Sequence, residues 1–160
     1  MGILERIEKI IKKFTEKNIW IAIAESCTGG YISHMITNVS GASKVFERGI
    51  ISYGNQAKID LLKINPKIIE KFGAVSEKVV NQMAYNVRLM SKSCDIGIGI
   101  TGIAGPTGGT PEKPVGLVYI GFSTEKETLV KKFNFKTDRI TFKKKVLEEV
   151  VGFLENYTLG

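Results

Sequence analysis

An apolar run, Ile19-Trp20-Ile21-Ala22-Ile23-Ala24, gives way to Glu25-Ser26-Cys27-Thr28-Gly29-Gly30 and then to a helix-like segment, Tyr31 to Thr37. A buried strand that hands over to a helix through small, hydroxyl-bearing residues is a building unit of α/β layers. The first N–H groups of a helix lack intrahelical partners. Such a junction can therefore hold an anion, or the oxyanion of an acyl transfer. Ser26 is a nucleophile candidate whose base must come from elsewhere in the chain, and Cys27 is its rival.

The rest of the chain continues the alternation. Ile3, Ile7, Ile10, Ile11 and Phe14 fall at helical spacing over residues 3 to 17. Val45 to Tyr53 reads as a strand, and Asn55 to Ile64 as a short helix with Ala57, Leu61 and Leu62 inward, broken at Asn65-Pro66. Ser76 is placed to cap a long helix bearing Val79, Val80, Met83, Ala84, Val87 and Met90. Asp95 to Ile100 is a short buried strand whose glycines permit close backbone approach. After a Gly/Pro/Thr-rich loop, Thr101 to Pro114, the strands Val115 to Ser123 and Thr128 to Lys136 predict a hairpin. Asp138 caps a last helix carrying Phe142, Val146, Val150, Phe153 and Leu154. This order predicts a three-layer α/β/α sandwich around a mixed, mostly parallel sheet, with residues 1–160 as one domain.

Composition removes several function classes. Two cysteines make no disulfide framework, and one histidine without clustered carboxylates gives no metal site; no cofactor is implied. His34 reads as a surface helix residue, roughly 10 Å along the helix from Cys27, too far for a Cys–His pair. The net charge of +7 comes from lysines spread along the chain without interleaved aromatics, so solvated faces are expected and nucleic acid is not. No apolar run approaches the roughly 20 residues of a membrane span, and residues 1 to 13 do not resemble a signal peptide. The chain reads as soluble and cytoplasmic, without a membrane partner.

Three candidate segments fall at the carboxyl ends of parallel strands, where ligands collect in open α/β sheets: Ser26 to Gly30, Ser52 to Lys58 and Thr101 to Gly109. Lys58, if neutral, can take the Ser26 proton, and Tyr53 can relay a proton or orient either partner. The plainer alternatives are an exposed helix lysine and a core aromatic. The third segment lacks the ending of a phosphate-binding P-loop, yet its backbone N–H groups and the Thr101 hydroxyl can line a polar ligand. Arg139 is either a partner for a phosphate or an ordinary surface arginine.

Six stretches in order carry a family resemblance: Ala-Glu-Ser-Cys-Thr-Gly-Gly at 24–30, Gly-Ile-Ile-Ser-Tyr-Gly-Asn-Gln-Ala-Lys at 49–58, Gly-Ala-Val-Ser at 73–76, Thr-Gly-Ile-Ala-Gly-Pro at 101–106, Lys-Pro-Val-Gly at 113–116 and Asp-Arg at 138–139. Together they resemble the CinA C-terminal domain family, the PncC-type nicotinamide-nucleotide amidohydrolases, over about residues 5 to 155. The resemblance implies deamidation of nicotinamide mononucleotide to nicotinate mononucleotide and ammonia. It implies Ser26 as nucleophile, Lys58 as general base and Tyr53 assisting, on a five-stranded mixed sheet, without metal, in a homo-oligomer. Substrate contacts are expected from Cys27, Thr28, Gly29 and Gly30 around the oxyanion, and from Thr101, Gly102, Ala104, Gly105 and Arg139. Gly54 departs from the family pattern, where many members have serine. The Met1 start and immediate helix lead to the expectation of a stand-alone amidase rather than part of a longer CinA protein. The competing expectation is a catalytically silent nucleotide-binding or interaction module of the same fold.

Overall fold

The computed structural model describes residues 1–158. Five strands, β1 (Ile21–Glu25), β2 (Phe46–Ile51), β3 (Ile96–Gly102), β4 (Leu117–Ser123) and β5 (Thr128–Asn134), form one sheet in the order β2-β1-β3-β4-β5. β1 pairs in parallel with β2 and β3, whereas β4 is antiparallel to both β3 and β5. Four strands thus share one direction and β4 alone opposes them, which is the mixed, mostly parallel sheet expected.

Six helices cover the two faces: α1 (Ile3–Lys17), α2 (Tyr31–Thr37), α3 (Asn55–Leu62), α4 (Pro66–Phe72), α5 (Glu77–Leu89) and α6 (Arg139–Asn156). The alternation in β1 and β3 assigns them. Ile21, Ile23, Ile96, Ile98 and Ile100 point to one face and pack with Ile7, Ile11, Phe14, Phe142, Val146 and Val150 of α1 and α6. Ala22 and Ala24 point to the other face and pack with Leu62, Val79, Met83 and Val87 of α3 and α5. On that second face the residues are small because α5 lies nearly against the sheet backbone. A Cβ on Gly99 would sit 2.8 Å from the Ala84 nitrogen, and one on Gly97 only 2.1 Å from the Ala84 oxygen. The expected close approach is therefore real, and its beneficiary is α5.

Two local expectations are corrected. Asn65-Pro66 does end the preceding helix, but it also opens α4: the Asn65 side chain accepts from Lys67 N at 2.9 Å, and proline at the first helical position sacrifices no hydrogen bond. In α3 the inward residues are Lys58 and Leu62, one turn apart, while Leu61 is 48% exposed. The helix turns its lysine, not that leucine, to the interior. No helix among the described residues is long and apolar enough to cross a membrane.

Candidate active site

β1 and β2 are parallel neighbours, so their carboxyl ends lie side by side and bring residues 26 and 52–53 together. Ser52 N donates to Glu25 O at 2.8 Å, which extends the pairing to the start of the turn that carries Ser26. The chain then turns through Gly54 into α3 and carries Lys58 back beneath both strand ends. Lys58 is 1% exposed, and its Nζ lies 3.0 Å from Ser26 Oγ, 2.9 Å from Ser52 O and 3.0 Å from Tyr53 O. No carboxylate forms an ion pair with it among the described residues. Burial pushes the Lys58 ammonium below its ordinary range. A neutral amine has two N–H groups and one lone pair. As an ammonium, Lys58 donates to both carbonyls and to Ser26 Oγ, which donates in turn to Tyr53 O; loss of one proton would leave a lone pair available to the Ser26 hydroxyl.

The neighbours divide differently. Cys27 is buried among apolar side chains, and that burial pushes its thiol up to about 12, so it holds no thiolate at neutral pH. Of the two nucleophile candidates, Ser26 alone contacts the amine. Tyr53 is 60% exposed rather than a core aromatic. Its carbonyl meets Lys58 and Ser26, at 3.0 and 3.3 Å, while its phenol accepts from Arg139 Nη2 at 3.4 Å. His34 is exposed on α2, as expected.

The start of α2 is not an open anion site. The fully buried Glu25 carboxylate accepts from Ile32 N at 3.1 Å, Ser33 N at 2.9 Å, Ser33 Oγ at 2.7 Å and Thr28 Oγ1 at 2.6 Å. The helix-terminal donors that the sequence offered to a ligand are thus held by the chain's own acid. Thr28, Gly29 and Gly30 do not line the adjoining cleft; Thr28 is fully buried, and the two glycines turn the backbone at φ +61° and +98°.

That cleft, about 400 Å³, is walled by the 26–27 turn, Tyr53, Asn55, the Ala74-Val75 segment, the Thr101 to Gly109 loop and Arg139. Thr101, Gly102, Ala104 and Gly105 all line it, although the Thr101 hydroxyl donates to Ala74 O at 2.9 Å and so ties two walls together. Arg139, the first residue of α6, donates to Gly105 O and to the Tyr53 phenol. Among the described residues no carboxylate lines the cleft, and Arg139 is the cation at its rim. A larger hollow of about 500 Å³ lies between the β4–β5 hairpin and the end of α6, with no comparable nucleophile and base.

The CinA C-terminal domain family matches residues 4–158. The chain belongs to that family. A relative from Thermoanaerobacter sp. (strain X514), named as a competence-damage inducible protein, is 46% identical over 157 residues, 98% of this chain but 38% of its own length. A CinA-like protein from Kosmotoga olearia is 50% identical over 136 residues, covering 84% of this chain and 33% of its own. The chain thus spans little more than a third of the curated relatives it matches. Among solved structures, the competence/damage inducible protein CihA from Agrobacterium tumefaciens superposes with a TM-score of 0.91 at 34% identity, covering 96% of this chain and 94% of that one.

Several site features of this CinA domain escaped sequence reasoning. Asn55, Val75 and Ile103 line the cleft; they lie inside the stretches at 49–58, 73–76 and 101–106, but no chemical feature of these three side chains singled them out. Lys143, one turn beyond Arg139 on α6, brings its Nζ to 3.8 Å from where a Gly29 Cβ would sit, and it forms no ion pair among the described residues. Glu25 resembles a solvated charge closing a strand, and nothing in its flanking residues marks it as fully buried.

Proposed function

We propose that this CinA domain is an amidohydrolase that deamidates nicotinamide mononucleotide by a Ser-Lys mechanism. The observation that carries the reading is the 3.0 Å contact between Ser26 Oγ and a buried lysine that has no counter-ion among the described residues and whose other hydrogen-bond partners are two carbonyls. Neutral Lys58 takes the Ser26 proton as Oγ bonds to the carboxamide carbon. Cys27 lines the cleft, and its N–H, which donates to no backbone carbonyl among the described residues, is the donor assigned to the oxyanion in this reading. Protonated Lys58 then gives its proton to the departing nitrogen, the C–N bond breaks and ammonia leaves. Water attacks the nicotinoyl-serine ester, giving its proton to Lys58, which returns one to Ser26 Oγ.

A cleft with no carboxylate among the described residues and with Arg139 at its rim suits an anionic substrate, and the Arg139 guanidinium has N–H groups beyond those given to Gly105 O and Tyr53. Tyr53 then positions Arg139 through its phenol and Lys58 through its carbonyl. The test is incubation with nicotinamide mononucleotide without added metal, measuring ammonia and nicotinate mononucleotide, with Ser26→Ala and Lys58→Met alongside. Release by the wild type and a loss of at least about 10³-fold in both folded variants is the expected result. Equal turnover by Ser26→Ala overturns the mechanism, and no turnover by folded wild type overturns the activity.

A further inference from the structure

We propose that Glu25 is a positioning residue for Ser26, acting as an internal anion that clamps the nucleophile turn through Thr28 and the start of α2; this rests on the Ser-Lys reading above. The geometry is specific. Glu25 is the last residue of β1 and Ser26 follows it directly, so the carboxylate belongs to the residue that fixes where the nucleophile's backbone begins. One oxygen accepts from Thr28 Oγ1 and Ile32 N, the other from Ser33 N and Ser33 Oγ. Four donors saturate a carboxylate, which is acceptor-only when ionised. The backbone of the same residue is held from the other side, its carbonyl accepting from Ser52 N and from Ser52 Oγ at 3.3 Å. Ser52 in turn offers its own carbonyl to Lys58. Glu25 therefore joins the two halves of the dyad: its side chain fixes the turn that carries Ser26, and its main chain fixes the strand end that cradles the amine.

The turn needs such a clamp. Gly29 and Gly30 adopt conformations that few other residues favour, and glycines leave a backbone free to sample alternatives. Displacement of a reacting atom by about 1 Å can cost on the order of 10²-fold in rate. A glutamine at position 25 would turn an NH₂ group toward a hydroxyl and a backbone N–H, or toward another such pair, and so is not an equivalent acceptor.

Thr28 supplies the gentler test, because valine keeps its shape and removes one donor. The measurement is the rate and final stoichiometry of Ser26 labelling by a fluorophosphonate, in which Oγ bonds to phosphorus, fluoride leaves and Lys58 takes the proton. kcat and KM for nicotinamide mononucleotide are measured in parallel. Thr28→Val is expected to label to full stoichiometry about tenfold more slowly, and Glu25→Gln about 100-fold more slowly. KM and the pH at which the rate rises should be unchanged, and Thr28→Ser should restore the wild-type rate. Labelling of Thr28→Val and Glu25→Gln at the wild-type rate overturns the proposal, as does reduced final stoichiometry at an unchanged rate, which marks a merely structural role. Wild-type Ser26 that takes no label overturns the Ser-Lys reading itself, a result distinct from either.

Discussion

At the scale of single residues, the charge on Lys58 governs what the cleft can do. Its folded pKa lies below that of the unfolded chain because burial disfavours the ammonium. Between those two values the unfolded chain holds the extra proton, so the residue's contribution to stability rises with pH, at most by about 1.4 kcal/mol per unit. The unfolding free energy of the wild type minus that of Lys58→Met should therefore grow as the pH rises toward the ordinary lysine value of 10.5 in denaturant titrations. A difference independent of pH would mean that Lys58 titrates like an exposed lysine. Turnover should follow the same ionisation, rising with pH through a limb below the ordinary lysine range. Cys27 leads to the opposite expectation. With its thiol buried and pushed up to about 12, Cys27→Ala should keep turnover within about threefold, and iodoacetamide at pH 8 should leave the native enzyme active.

At the scale of elements, α3 carries the departure from the family pattern. Gly54 is its N-cap, in an extended conformation with nothing within 4 Å of an added Cβ and no side-chain cap of its own. A serine there would cap the helix rather than touch the dyad. Gly54→Ser is expected to raise stability by a few tenths of a kcal/mol, read from the denaturation midpoint, and to leave kcat unchanged. On the same face of the sheet, Gly99→Ala should cost about 1–3 kcal/mol, because the new methyl meets backbone atoms of α5 rather than a side-chain end that can swing away. The sheet, its helices other than α4 and the caps Ser76 and Asp138 were readable in the sequence because period-two alternation and cap residues are local signals. The inward turn of Lys58 was not, since apolar periodicity points to Leu61 and cannot register a buried amine. Ser26 and Lys58 were each readable as candidates. Their pairing came from the family resemblance and not from spacing, because the contact depends on β1 and β2 being adjacent, a fact of topology. The acid at the start of α2 was invisible for a related reason: its donors come from residues three, seven and eight positions away, folded over a glycine turn.

At the scale of the whole molecule, the cleft separates two kinds of electrostatics. The Arg139 end faces solvent, while Lys58 and Glu25 are 1% and 0% exposed. A substrate held partly by Arg139 should lose affinity when its phosphate is removed. Nicotinamide riboside is expected to show a KM at least about tenfold above that of the mononucleotide, in steady-state assays of ammonia release. Dissolved ions shorten the reach of the exposed cation, at 1 M to about 3 Å, but do not enter the interior where the dyad and its clamp sit. Raising salt should therefore increase KM and leave kcat flat. On the proposed reading, capture belongs to the solvent's ionic atmosphere, and bond-breaking to an interior that this atmosphere does not reach, so one protein would work at a constant chemical rate while its appetite for substrate follows the saltiness of its surroundings.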